Sequence, residues 1–368
     1  MTKAVALLSG GLDSTLAVKL MLDQGIEVCA LNFTSAFCTC NSGGRHKAEG
    51  KEHGGCRSEA RNVAEKFNIP IKVLAKGLDY MEVVRNPRHG YGKGINPCVD
   101  CRVYMFSLAK KYMEETGASF IITGEVLGQR PMSQRRDTFR IIEKESGLIG
   151  LILRPLSAKH LEPTIPEING LVDRAKLLDM AGRTRRPQME LADDLRVEDY
   201  PCPSGGCLLT DKIFSKKVRD LLDHKNDITT KDLHTLKIGR HFRHNGVKLV
   251  VSRNESENAK LKLMAQPGDA VLEPIDFSGP VAVVAGNGRL NGRNAAVDMA
   301  ARLILRYASS SSKSPGGKSI RVTDGEQARP AGGPSRTAGG QARPAGGPEL
   351  IVIAEPADDE TIEEIRVC

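Results

Sequence analysis

"LLSGGLDST", residues 7–15, joins an apolar run that begins at Ala4 to "DSTLAVKLMLDQG", whose apolar residues recur at helical spacing. A buried strand therefore runs into Ser9, Gly10, Gly11, Leu12, Asp13 and Ser14, and a helix begins at once. Two glycines let the backbone turn tightly with its N–H groups inward, and the new helix presents its positive dipole end to the same point. The corner is an anion cradle. It lacks the lysine of the Walker loop, which sets it apart from the nucleotide loop of kinases and GTPases. The competing reading is an ordinary strand-to-helix turn capped by Asp13 or Ser14, since both residue types cap well.

The alternation continues outward. "EVCALNF", "IPIKVL" and "ASFIITGE" read as strands, and "SEARNVAEKFN" and "RVYMFSLAKKYMEETG" as the helices between them. The fold class expected is α/β, a doubly wound parallel sheet with helices on both faces. Residues 1–210 form its domain, with "PLSAKHLEPTIPE" as a proline-marked connection. Residues 211–307 change character. "LKIGRHFRHNGVKLVVSR" is two strands joined at Asn245 and Gly246, followed by the helix "ESENAKLKLMA" and the strands "AVLEPI" and "VAVVAG", a small α+β domain. Residues 308–368 are expected to be a mostly disordered low-complexity tail, because "QARPAGGP" occurs twice within a Ser-, Gly- and Pro-rich stretch.

The net charge of +8 and pI near 9.0 suit a polyanionic partner such as RNA, although aromatics at 4% and no tryptophan supply little for base stacking. No window reaches the roughly 18 apolar residues of a spanning helix, and "MTKAVALLSGG" does not resemble a secretory signal, so a cytoplasmic protein without membrane attachment is expected. In that reducing setting, close cysteine pairs point to metal or catalytic roles.

"NPCVDC", Asn96 to Cys101, is such a pair, and "YPCPSGGCLLTD" adds Cys202 and Cys207. If a helix begins near Cys98, the thiols of Cys98 and Cys101 share a face and the helix terminus lowers both pKa values. Three thiolates suit an iron–sulfur cluster with a free iron, and four suit structural zinc; a redox disulfide or a pair without a ligand are the remaining readings. Cys29 reads as a small buried residue. Cys38, Cys40 and Cys56, with His46 and His53 between them, match no metal spacing and read as a loop.

"SGGLDS" resembles the signature of the PP-loop ATP pyrophosphatases, whose fold is adenine nucleotide α-hydrolase-like. The resemblance implies that Ser9, Gly10, Gly11 and Ser14 grip the β and γ phosphates of ATP and that Asp13, catalytic in this reading, helps place Mg²⁺. "TGEVLGQRPMSQ", residues 123–134, and "ILRPL", residues 152–156, resemble segments of the tRNA 4-thiouridine synthetases, which puts Gly124 and Gln134 beside ATP. "SGGC" is similar to a region of the 2-thiouridylases and selects Cys207 over Cys202. The implied activity is ATP-dependent tRNA thiolation. A uridine is adenylated and sulfur replaces its carbonyl oxygen, with Cys98 and Cys207 catalytic and Cys98, Cys101 and Cys207 holding a [4Fe-4S] cluster, or zinc. A cysteine desulfurase or free sulfide would supply the sulfur. The hairpin cations Lys237, Arg240, Arg243 and Lys248 resemble an RNA-binding module of ribosome-associated proteins. Two other functions stand beside this one: an amidating or ligating pyrophosphatase with structural zinc, and a non-catalytic RNA- or ribosome-binding protein.

Overall fold

A computed structural model describes residues 2–39, 56–197, 206–286, 294–308, 318–325 and 350–368. They divide into two compact units, Met1–Ser215 and Lys216–Cys368.

In the first unit, five strands are hydrogen-bonded in parallel: β1 (Lys3–Leu7), β2 (Glu27–Thr34), β3 (Ile71–Ala75), β4 (Phe120–Thr123) and β5 (Ile152–Leu153), in the order β3-β2-β1-β4-β5. Strand β1 explains the layering. Its side chains alternate, and both sets are apolar: Ala4 and Ala6 join one core with Val18 and Met21, while Val5 and Leu7 join another with Val99 and Phe106. The helix Leu12–Leu22 therefore covers one face and the helix Cys98–Thr116 the other. Chain order reverses between β1 and β4. In an open sheet of this kind the carboxyl ends at that point form the binding crevice.

The second unit is a six-stranded sheet of β6 (Arg240–His244), β7 (Val247–Val251), β8 (Ala270–Pro274), β9 (Ala282–Val284), β10 (Lys318–Asp324) and β11 (Leu350–Ala354), in the order β11-β10-β8-β9-β7-β6 and antiparallel throughout. Asn245 and Gly246 make the β6–β7 turn with φ of 47° and 77°, as a two-residue hairpin loop demands. The helix Ala295–Tyr307 packs on one face and the helix Glu255–Met264 meets the other.

Two strands of this sheet, β10 and β11, come from residues 308–368, the stretch expected to be mostly disordered. Ile320, Val322 and Val352 are fully buried in its core, and Asp359–Ile365 is helical. "SIRVTD" alternates apolar and polar side chains and "LIVIA" is an unbroken apolar run, and both outweigh the composition of the stretch around them. Both "QARPAGGP" copies lie outside the described residues.

Candidate active site

The loop after β1 is left open by its own side chains. Gly11 is the N-cap of the helix Leu12–Leu22 and no side chain caps it, so neither Asp13 nor Ser14 fills the role an ordinary turn would give them. The Ser14 hydroxyl turns back instead, donating to the Gly11 carbonyl at 2.9 Å and lying 3.1 Å from the Ser9 hydroxyl. The N–H groups of the first helical turn thus remain available to an anion. Gly10 has φ +79°, and a Cβ there would meet the Ala60 nitrogen at 2.6 Å. Gly124, at the end of β4, lets that strand close on the loop: a Cβ would lie 2.4 Å from the Asp13 carbonyl carbon and the Ser14 nitrogen.

A cavity of about 190 Å³ opens there, with Ser9, Gly11, Asp13, Ser14, Gly124 and Gln134 in its wall. Gly10 is not in the wall; it shapes the loop from behind. Asp13 Oδ2 accepts a hydrogen bond from Gln129 at 3.1 Å, while buried Oδ1 has no hydrogen-bond partner. Gln134 Oε1 is likewise buried and unsatisfied. Both are acceptors turned toward a site that ought to supply donors or a cation.

"TGE" and "RPL" meet physically. Glu125 and Arg154 are 2% and 3% exposed and pair at 3.2 Å, with Arg154 stacked on the Phe139 ring at 3.8 Å. Glu125 also pairs with Arg102 at 3.4 Å. Arg102, Arg130 and Arg185 all line the cavity; Arg130 lies within "TGEVLGQRPMSQ", yet none of the three was singled out in the sequence. Buried Asn32, whose side chain donates to the Leu8 carbonyl at 2.8 Å, was missed as well; a lone amide inside the apolar run "EVCALNF" was its signal.

The helix does begin at Cys98, with Pro97 as its N-cap. The two thiols do not respond alike, which corrects the expectation that both are lowered. Burial first, and then the charge of Cys101, raises the Cys98 pKa. Cys101 feels the same burial, but the Lys76 ammonium, 2.9 Å from its sulfur, and the Tyr80 hydroxyl outweigh it and hold the thiol below its ordinary value. Cys207 is pushed up to about 11, chiefly by burial. It lies opposite Cys38 in an isolated antiparallel bridge, fixed by a hydrogen bond from the Leu208 N–H to the Phe37 carbonyl at 2.8 Å. Cys38 is therefore beside the distal cysteine rather than in a separate loop, whereas Cys40, Cys202 and the Cys56 side chain lie outside the described residues. Cys98, Cys101 and Cys207 are close enough to perturb one another electrostatically. Among the described residues, however, no three His, Cys, Asp or Glu side chains are placed to hold a metal.

In the second unit the hairpin cations are not a free row. Arg243 and Lys248 face each other across β6 and β7, and Asp220 pairs with both, at 2.6 Å and 2.5 Å. Arg240 stacks on the Tyr307 ring at 4.3 Å and donates to the Ser252 carbonyl. Lys237 precedes the hairpin. No described helix is long and apolar enough to cross a membrane.

Residues 1–165 match the family described as thiamine biosynthesis protein (ThiI), and residues 239–330 match the NFACT protein RNA binding domain. The chain is 33% identical over 127 residues to a probable tRNA sulfurtransferase of Methanothermobacter thermautotrophicus, covering 34% of this chain and 30% of that protein. It is 32% identical over 139 residues to the tRNA-specific 2-thiouridylase MnmA of Clostridium acetobutylicum, covering 33% and 35%. It thus spans about a third of the length of these curated relatives. A solved 4-thiouridine synthetase in complex with RNA and ATP aligns with 64% of this chain and 52% of its own, at 21% identity and a TM-score of 0.35. Over residues 1–165 the chain is thus similar to the ThiI family, and over a comparable stretch to tRNA sulfurtransferases and 2-thiouridylases.

Proposed function

We propose that the chain is an ATP-dependent tRNA sulfurtransferase that adenylates a uridine carbonyl oxygen and replaces it with sulfur, releasing pyrophosphate and AMP. The observation that carries this reading is a juxtaposition. An uncapped helix N-terminus opens on a cavity lined by three arginines, and Arg102 and Arg130 from that cavity also act on the Cys98 thiol. Nucleotide activation and sulfur chemistry would then share one crevice.

In this mechanism the N–H groups behind Gly11, with Ser9 and Ser14, bind the phosphates that leave, and Gln134 presents its free Oε1 to the nucleotide. Asp13 Oδ1 is a hard, unsatisfied oxygen and fits a Mg²⁺ ligand; the ion would neutralise charge on the bridging phosphates. Lys76 and Tyr80 keep Cys101 as the most acidic of the three thiols and the one most readily present as thiolate, beside which supplied sulfide would be delivered. That departs from the assignment of Cys98 and Cys207 as the catalytic pair. Thiolates are chemically suited to a [4Fe-4S] cluster or zinc, but the described sulfurs form no three-ligand group and Lys76 donates to one of them. No step is routed through a metal there. The second unit, through its RNA-binding-type domain, would present tRNA.

Purified protein with MgATP should release pyrophosphate only when tRNA is present, and with a sulfide donor should yield a thiouridine nucleoside by mass spectrometry. Release driven by a small carboxylate instead would establish the amidating chemistry in its place. Iron and zinc content after anaerobic purification reads the cysteine centre directly.

A further inference from the structure

The cavity carries more positive charge than its carboxylates absorb. Arg185 faces Asp13 at 3.8 Å, and Arg102 faces Glu125 at 3.4 Å, but Glu125 is already shared with buried Arg154. The Arg130 guanidinium has no hydrogen-bond or ion-pair partner among the described residues. It nevertheless stands in the same wall as the other two, close enough that their repulsion, after burial, lowers its pKa. Like charges gathered in a crevice oppose folding unless an anion joins them.

The position of Arg130 says which part of the anion. Arg130 shares the cavity wall with Asp13, at the start of the phosphate loop, and Met132 of the same turn reaches the cysteine centre, its sulfur and that of Cys98 lying 2.9 Å and 3.8 Å from where a Gly92 Cβ would stand. The turn that holds it is closed by the Gly128 N–H donating to the Gln134 carbonyl at 2.7 Å and the Gln134 N–H to the Arg130 carbonyl at 3.2 Å. Phosphates gripped by the loop are the ones released. The phosphate toward the cysteines is the one that stays on the substrate oxygen.

Building on the thiolation reading, we propose that Arg130 binds the α-phosphate of the nucleotide and stabilises it through both transfers. In the first, the uridine carbonyl oxygen bonds to the α-phosphorus and the bond to the bridging oxygen breaks, its electron pair leaving with pyrophosphate. In the second, sulfur supplied at the oxidation level of sulfide bonds to the ring carbon, and the carbon–oxygen bond breaks with its pair leaving on AMP. Neither step changes the redox state. Each places extra charge on α-phosphate oxygens, where a fixed guanidinium acts most strongly.

The test uses the full chain with Arg130→Met and Arg130→Lys. AMP, which has only the α-phosphate, should bind Arg130→Met at least about tenfold more weakly than wild type by calorimetry, one charged hydrogen bond being worth roughly 1.5–3 kcal/mol. Adenosine should bind both equally, and Arg130→Lys should recover part of the AMP affinity. The kcat of tRNA-dependent pyrophosphate release should fall about 10²-fold in Arg130→Met, the loss seen when one oriented donor is removed, with the KM for tRNA unchanged. Equal AMP affinity in wild type and Arg130→Met overturns the assignment, and so does a defect confined to the KM for tRNA, which would make Arg130 an RNA-phosphate contact. Wild-type protein that binds AMP through Arg130 yet releases no pyrophosphate with tRNA overturns the thiolation reading and leaves the α-phosphate site standing.

Discussion

Replacing Gly124 by alanine tests whether the approach of β4 to the loop after β1 shapes the proposed nucleotide site. The added methyl would lie 2.4 Å from two backbone atoms, the Asp13 carbonyl carbon and the Ser14 nitrogen. Non-bonded carbon contacts settle near 3.5 Å, so strand and loop must part by roughly 1 Å. No flexible side chain can swing away to absorb it. Overpacking of this kind costs about 1–3 kcal/mol, and in a unit of this size each kcal/mol lowers Tm by about 2–4 °C. The same displacement moves the Ser14 hydroxyl and the helix N–H groups off the phosphate positions, so MgATP affinity should fall about tenfold or more. Gly11 supplies the control. Its φ is −83°, and a Cβ there would meet only the Ser9 hydroxyl, at 3.5 Å. Gly11→Ala should therefore hold its melting temperature within the shift expected of about 1 kcal/mol. Scanning calorimetry reads Tm and isothermal titration with MgATP reads affinity. If Gly124→Ala melts and binds as wild type does, or if Gly11→Ala is destabilised as much, the close-approach reasoning is wrong.

Arg154→Met leaves Glu125 buried with a single, longer ion pair to Arg102, and should destabilise the first unit by about 3–5 kcal/mol in urea melts; adding Glu125→Gln should recover much of the loss, and a double variant no better than the single would refute the pairing. Asp220→Asn should cost the second unit about 3 kcal/mol, because Arg243 and Lys248 would then face each other across the hairpin uncompensated; an unchanged denaturation midpoint would count against the pairing. Lys217, donating to the Gly239 carbonyl at 3.0 Å, has its pKa lowered to about 8, mainly by burial, from 10.5. Between those values the unfolded chain binds a proton the folded chain lacks, so stability should rise with pH across that window, and the rise should be smaller in Lys217→Met. Equal pH slopes in the two proteins would show that Lys217 titrates normally.

How far the site could be read from sequence follows from where each residue's partner lies. The sheet was legible because β1 is apolar from Ala4 onward and a glycine pair follows three residues after its end; local pattern and global fold agree there. Gly10, Gly11, Ser14 and Gly124 were legible for the same reason, each at the end of a strand whose direction the pattern sets. The state of the thiols was not. Cys101 differs from Cys98 because Lys76, just beyond β3, reaches its sulfur, and nothing in "NPCVDC" encodes which lysine a neighbouring strand will deliver. Asp220, which occupies Arg243 and Lys248, likewise comes from a helix before the hairpin, so a row of cations in sequence became a partly neutralised cluster in space. Arg102, Arg130 and Arg185 lie on three separate segments and converge only because strand order reverses between β1 and β4. A switch point gathers residues by topology rather than by spacing. The arginines of the crevice thus come from segments that no spacing rule links, while Gly10 and Gly124 hold the backbone that lets them meet.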